Sequence, residues 1–275
     1  MKKKLFYFLS ASLLVLGACS NDDHAISIDP VKVVTPKTIT YDGENSGGID
    51  TKTFIYNGNK IVSASCIAYG HTMKTVFTYT GNLITKTEGF RDDQLTSTTL
   101  YTYNKEKLKE ESYFLPTQLD GAFYYKKVYT HNSDNTISYK VYRYENPAEP
   151  EDGTHTLTFT NGNLVKSKTE YSDLNPYYKY VYEYKYDNKN NPLKNILGLD
   201  LILLEGGIFS GHDMSNGDFG INDFGLNNIS EKITTVNSEV GVETYVEKLT
   251  YEYDENGYPI KKRSDQFTDV ISYSY

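Results

Sequence analysis

Phe54-Ile55-Tyr56-Asn57-Gly58-Asn59-Lys60-Ile61 recurs 23 residues later as Phe77-Thr78-Tyr79-Thr80-Gly81-Asn82-Leu83-Ile84. The same plan returns five more times. Tyr101-Thr102-Tyr103 leads to Leu108, Tyr129-Thr130-His131 to Ile137, and Leu157-Thr158-Phe159 to Val165. Tyr184-Lys185-Tyr186 leads to Leu193, and Tyr251-Glu252-Tyr253 to Ile260. Each unit sets two large residues two positions apart, then a turn, then an aliphatic. Side chains alternate across a strand, so residues two apart share a face. Tyr178, Tyr180, Tyr182, Tyr184 and Tyr186 extend the pattern over five positions, with Lys179, Glu183 and Lys185 on the other face. Helical spacing fits none of these stretches.

The turns are rich in Asn, Asp and Gly, which supply the positive φ angles that hairpins need. The fold class expected is all-β: tandem antiparallel hairpins, seven of them, in one curved meander sheet. A closing half-unit, Tyr273-Ser274-Tyr275, has no partner in the repeat. About fifteen strands would twist strongly and curl, with the aromatic face inside an open, barrel-like sheet. The spacing from second large residue to aliphatic varies. A shift of two residues keeps the same face inward, whereas the odd spacings at His131/Ile137 and Phe159/Val165 require a bulge or a neighbour such as Leu164.

Tyr253-Asp254-Glu255-Asn256-Gly257 resembles the YD repeat of RHS-type shell proteins, and Tyr186-Asp187-Asn188-Lys189-Asn190-Asn191 resembles a degenerate copy. Most units lack the Tyr-Asp pair, Tyr258 stands where a basic residue is usual, and no toxin or self-cleaving core follows. Encapsulation of a cargo is therefore not implied.

The first 18 residues read as a signal peptide. Lys2, Lys3 and Lys4 precede a 12-residue apolar stretch, Leu5 to Leu16, which is shorter than a membrane-spanning helix requires. Leu16-Gly17-Ala18-Cys19 resembles a bacterial lipobox, which implies cleavage before Cys19 and a diacylglycerol on its sulfur. Residues 19–37 read as a lipidated tether. Its Ser20-Asn21-Asp22-Asp23 resembles the export signal of Bacteroidota surface lipoproteins. Together with the YD-like hairpins, this resembles outer-membrane lipoproteins of that phylum, whose function is uncharacterised. The localisation implied is the outer membrane, lipid-anchored and cell-surface exposed. Cys66 is the other cysteine, so a lipidated Cys19 leaves it to pack as a small apolar residue.

Residues 38–275 form the repeat domain. The repeat lapses between about 195 and 246, where a mostly irregular insert is expected. Its apolar start, Ile196 to Leu204, reads as a short helix or buried strand that caps the open sheet, and residues 206–228 hold six Gly. Asp213-Met214-Ser215-Asn216-Gly217-Asp218 is a superficial match to a Ca²⁺ loop, but Asp218 and Phe224 occupy the positions that need Gly and a bidentate acid.

The 275 residues include 28 Lys+Arg and 36 Asp+Glu, for a formal charge of −8. That balance argues against a nucleic-acid partner. His24, His71, His131, His155 and His212 show no zinc spacing, and nucleophile elbows and phosphate loops are lacking. Glu110, Glu111 and Glu183 read as solvent-facing. No motif asks for a cofactor or metal, and no catalytic residue is nominated. The expected role is non-enzymatic: a structural or interaction module, held at the membrane by lipid on Cys19, with an unidentified protein or glycan partner. The alternative is a glycan-binding lipoprotein of a polysaccharide-utilisation system. There is no Trp among 27 Tyr and 12 Phe, and most Tyr follow the core period. Tyr124-Tyr125 and Tyr177-Tyr178 are adjacent pairs that must straddle both faces, so Tyr124 and Tyr177 are the candidate ligand contacts.

Overall fold

The computed structural model describes residues 33–43, 48–68, 70–116, 122–151, 153–171, 178–202, 225–239 and 241–275. The signal peptide, Cys19, Tyr177 and the Asp213–Asp218 stretch lie outside them.

The strands are β1 (Thr38–Gly43), β2 (Gly48–Asn57), β3 (Lys60–Ala68), β4 (His71–Thr80), β5 (Leu83–Arg91), β6 (Gln94–Asn104), β7 (Lys107–Phe114) and β8 (Tyr125–His131). They continue as β9 (Thr136–Arg143), β10 (Thr154–Thr160), β11 (Asn163–Glu170), β12 (Lys179–Tyr186), β13 (Ile229–Ser238), β14 (Gly241–Tyr253), β15 (Pro259–Ser264) and β16 (Val270–Ser274). One turn of helix, α1 (Leu199–Ile202), precedes β13.

Each strand pairs antiparallel with its sequence neighbours, and β16 pairs with β1. The sheet is thus a closed sixteen-strand barrel rather than the open curved meander expected. The half-unit at the C-terminus does have a partner: Tyr273 lies across from Ile39 and Ile271 across from Tyr41. Closure removes the two exposed edges that an open sheet would present.

The insert is also shorter than expected. Strand β13 and the start of β14 fall within it, so the sheet resumes at Ile229.

The hairpin geometry repeats with the sequence. Tyr56 pairs with Ile61, Tyr79 with Ile84, Tyr103 with Leu108 and Phe159 with Leu164, and a one-residue register shift lies just before each aromatic residue. The bulge absorbs the odd residue and keeps both flanking faces inward. Leu164 rather than Val165 takes the aliphatic position. Pro259 does so in place of Ile260, which is 41% exposed. His131 pairs directly with Ile137, and the intervening loop absorbs the odd spacing. Gly81, at φ 59°, makes one of these turns in the left-handed region that favours glycine.

Inward positions hold the apolar material. Ile39, Phe54, Ile61, Phe77 and Ile84 form one buried cluster, and Leu108, Tyr129, Ile137, Tyr139, Leu157 and Leu164 form another. The short turns of β2–β3, β4–β5, β6–β7, β8–β9, β10–β11 and β14–β15 share one end, here the near end, with the start of β1 and the end of β16.

The apolar run after β12 caps this near end, the placement expected for it. Leu193, Ile196, Leu199 and Ile202 join the first cluster. Leu197 donates its N–H to the Asn59 carbonyl at 2.9 Å and accepts from the Tyr79 hydroxyl at 2.9 Å. Gly198 passes so close to the β4–β5 turn that a Cβ there would lie 2.9 Å from the Asn82 carbonyl. Asp187 binds the returning chain. It accepts from the Asn228 N–H at 3.1 Å and from the Tyr253 hydroxyl. Asn163 Oδ1 accepts from the N–H groups of Leu226 and Asn227 at 2.8 and 3.1 Å.

Outward positions carry many charged and hydroxyl side chains, with Ile55, Ile67 and Leu100 exposed among them. Lys86–Glu88 at 2.9 Å, Lys166–Glu183 at 3.1 Å, Lys179–Glu170 at 3.1 Å, Lys185–Glu231 at 2.7 Å and Arg263–Glu252 at 2.7 Å form ion pairs along the wall. Hydroxyls pair between strands, as in Thr38–Ser274 at 2.7 Å and Thr40–Thr51 at 3.1 Å. No helix among the described residues is long and apolar enough to cross a membrane.

Candidate functional site

Apart from the β12–β13 connection, the longer connections lie at the far end, and below it the inner wall of β7–β11 gathers aromatic rings around a few charges. Strand register dictates this grouping. Glu111 faces Lys127 across β7–β8, and Tyr113 faces Tyr125. Tyr129 faces Tyr139, which faces His155, which faces Thr169. Inward pointing of Glu111 corrects the solvent-facing reading. The bulge at Lys109, between the pairs Thr102–Glu110 and Tyr103–Leu108, turns Glu111 inside, and it is 5% exposed. Glu183 does face solvent, in its pair with Lys166.

A buried carboxylate needs partners. Glu111 accepts from the Tyr125 hydroxyl at 3.3 Å and the Tyr129 hydroxyl at 3.0 Å. The Lys127 ammonium lies 5.4 Å from the centre of the Tyr139 ring and 5.9 Å from that of Tyr125, within cation–π range. His155 stacks on Tyr139 with ring centres 4.4 Å apart and planes 7° apart, and its Nδ1 lies 2.9 Å from Thr169 Oγ1. Burial, helped by the Lys127 charge, pushes the imidazole down to about 4, so His155 is neutral near pH 7. Burial, with the Glu111 charge, raises the Tyr125 hydroxyl well above its ordinary value. These groups offer ring faces, hydroxyls, and a carboxylate and an ammonium on facing strands, a set suited to binding.

Tyr124 stands at the mouth above this wall. It is 37% exposed and meets Tyr113 and Tyr125 edge-on at 6.3 and 6.5 Å. Tyr113 and Tyr125 stack below it at 4.9 Å. The adjacent pair Tyr124-Tyr125 thus straddles rim and interior, the arrangement expected from its sequence. Tyr144, 42% exposed, donates its N–H to the Tyr124 carbonyl at 3.1 Å. The Lys126 ammonium lies 5.1 Å from the ring centres of both Phe123 and Tyr142. The sequence pattern missed Phe123, Tyr142, Tyr144, Glu111 and Lys127. Alternation along each strand was the available signal, but the bulges displace it.

The other histidines are scattered. His131 Nε2 contacts the Leu108 carbonyl at 2.8 Å, and His71 Nδ1 lies 2.5 Å from Asp92 Oδ2 on the far-end turns. Among the described residues no three His, Cys, Asp or Glu side chains gather as a metal site. Cys66 lies inward, across from Met73, and burial with the nearby Asp50 charge pushes its thiol up to about 11. Asp50 itself is raised by burial, offset in part by Lys52.

No protein-family model matches the chain, and no curated protein sequence does. Its fold is similar to the crystal structure of a porin-like protein from Bacteroides uniformis. The TM-score is 0.53 at 11% identity, covering 89% of this chain and 98% of that one. At that identity the likeness establishes the all-β antiparallel barrel, of a kind compatible with an outer-membrane location.

Proposed function

We propose that the protein is a non-enzymatic lipoprotein of the outer membrane whose barrel stands in water and is held to the bilayer through lipid on Cys19. The observation that carries this reading is the polarity of the wall. A membrane-spanning barrel presents an apolar band about 25 Å tall to lipid and keeps its polar groups inside. Here the two buried apolar clusters lie inside, and the outward Ile55, Ile67 and Leu100 are interspersed with Lys–Glu and Arg–Glu pairs rather than gathered into an apolar band. Each Lys or Arg at the bilayer midplane would cost about 2–4 kcal/mol, and Lys86, Lys166, Lys179, Lys185 and Arg263 all lie on this wall. The lipobox-like Leu16-Gly17-Ala18-Cys19 supplies the membrane attachment that the wall does not, and the acidic Asp22-Asp23 supports display at the cell surface. The YD-like hairpins make the barrel a repeat scaffold whose far-end loops are free to meet a partner.

A glycan ligand is the second reading, favoured by one observation: Tyr124 and Tyr144, joined through a main-chain hydrogen bond, are both partly exposed at the far mouth. Tyr177 belongs to the same reading as a candidate contact.

Mass spectrometry of the mature protein tests the anchor. A diacylglyceryl adduct on Cys19 is expected, and Cys19→Ser should move the folded chain from detergent into the aqueous phase on phase separation. A Cys19→Ser chain that stays with detergent would overturn the proposal. Loss of glycan-array binding on Tyr124→Ala would support the second reading, and an array with no signal would remove it.

A further inference from the structure

One edge of the sheet is left open at the far end. β14 is 13 residues long, but β15 pairs with it only from Leu249 onward, through Leu249↔Ser264. β13 covers its other side without a register shift from Glu231↔Lys248 to Ser238↔Gly241. Every residue from Gly241 to Val246 is exposed, with Val242 at 66% and Tyr245 at 57%, so this end of β14 extends beyond the end of β15.

The main-chain direction can be read from Lys248. Its N–H donates to Asp265 Oδ1 at 2.8 Å and its carbonyl accepts from the Asp265 N–H at 3.0 Å, so both groups point away from β13. Alternate residues point the same way, so Val246, Thr244 and Val242 turn their N–H and C=O groups to the open side. Gln266 reaches only the Val246 carbonyl, at 3.2 Å. Among the described residues no strand lies beside Gly241–Thr244. The edge has no Pro, no Lys before position 248 and no bulge, and its charges are acidic, Glu243 and Glu247, so they deter an acidic or identical strand and leave a basic one acceptable.

We propose that this edge accepts an extended basic segment of a partner protein as an added antiparallel strand. Main-chain bonds to such an edge supply affinity, and alternate side chains supply selectivity. On the inner face an added strand would stand beside Glu243, Tyr245 and Glu247, and on the outer face beside Val242, Thr244 and Val246. The fitting sequence alternates Lys or Arg, β-branched, aromatic, β-branched, Lys or Arg. Opposite charges directly across a strand pair are favourable, and like charges are not. A second copy of this chain fits poorly. Pairing two edges about Glu243 sets two carboxylates face to face. Sliding the copy further drives its hairpin tip towards the Asp265–Gln266 loop. The net charge of −8 also repels a copy and attracts a basic partner. The inference rests on the reading of a barrel that stands in water.

The test uses the full-length protein in detergent micelles and a labelled peptide, Thr-Lys-Val-Tyr-Val-Lys-Thr, read by fluorescence anisotropy. The control peptide carries Glu in place of both Lys. The Lys peptide should bind about tenfold more tightly than the Glu peptide at low salt, and the gap should narrow at high salt. Thr244→Pro removes one edge N–H and should weaken the Lys peptide about tenfold or more, while the infrared amide I band confirms that the barrel remains. Glu243→Lys combined with Glu247→Lys should invert the preference. Equal binding of the two peptides, or an unchanged affinity in Thr244→Pro, would overturn the proposal. So would a concentration-dependent dimer, seen by sedimentation and abolished by Thr244→Pro, since the occupant would then be a second copy. Phase partitioning of Cys19→Ser measures the water-facing wall separately, so failure of the peptide alone leaves that reading intact.

Discussion

Tyr273 of β16 lies directly across from Ile39 of β1, so the last strand of the chain pairs with the first. Beside that inward pair, on the outer wall, Thr38 Oγ1 and Ser274 Oγ lie 2.7 Å apart, 236 residues distant in sequence. Residues paired across a sheet have Cα separations that a disulfide can bridge. The double variant Thr38→Cys with Ser274→Cys should therefore oxidise to one intramolecular disulfide. Closing so long a loop should stabilise the barrel by up to about 5 kcal/mol in the chain-entropy account. Mass spectrometry and thermal unfolding check this. Two thiols that stay reduced in air, with an unchanged Tm, would mean that the sheet is open at this seam.

The inside–outside polarity predicts unequal costs for similar truncations. Leu157 is fully buried on the inner face of β10, whereas Ile67 on β3 is 70% exposed. Leu157→Ala should cost about 2–5 kcal/mol in denaturant unfolding, and Ile67→Ala no more than about 0.5 kcal/mol. Comparable losses at both positions would show a second layer packed against the outer wall.

One turn is made of residues that strain it. Lys105 and Glu106 join β6 to β7 at φ 49° and 64°, a left-handed pair that suits Asn-Gly. Replacing them by Asn and Gly should raise stability by about 1 kcal/mol, since L side chains lose roughly that in this region. Equilibrium unfolding reads the change, and a destabilised variant would show that the two side chains contribute more than the turn costs them.

His155 sets a pH dependence. Its folded-state pKa is about 4, below the ordinary histidine value near 6.5. Between those values the unfolded chain binds a proton that the folded chain does not, so this group makes stability rise with pH. Its contribution is complete above about pH 6.5 and is lost as acid approaches pH 4. NMR titration of the His155 ring protons should show no midpoint above pH 5. A midpoint near 6.5 would place the ring in open water rather than against Tyr139.

Much of this fold is legible in the sequence because the aromatic pairs mark their own strands. Phe54-x-Tyr56 and Tyr101-x-Tyr103 announce both face and turn, and Leu197 to Leu204 announces a cap by being apolar on nearly every side. The seam escaped notice for a local reason. Thr38-Ile39-Thr40-Tyr41 opens β1 with one aromatic instead of two, so nothing marks it as the partner of Tyr273. β13 hid in the same way, since Ile229 to Val236 has β-branched residues and no Tyr. The mouth was half legible. The doublet Tyr124-Tyr125 predicts one ring out and one in, but Tyr113 stacks on Tyr125 only through register across β7 and β8. Glu111 was misread because one bulge reverses the face that alternation assigns.

Accessibility of the mid-wall to water tests the central claim most directly. Leu100 lies in the middle of β6 with its side chain outward and 41% exposed, and Thr53 on β2 is likewise exposed on the wall. Leu100→Cys and Thr53→Cys, each in a Cys66→Ala background and incorporated into lipid vesicles through the Cys19 anchor, can be probed with a membrane-impermeant maleimide. A barrel that stands in water predicts that both positions react as fast as Asp92→Cys on the far-end turn. Protection of Leu100→Cys and Thr53→Cys while Asp92→Cys reacts would place the wall in the bilayer and contradict the account.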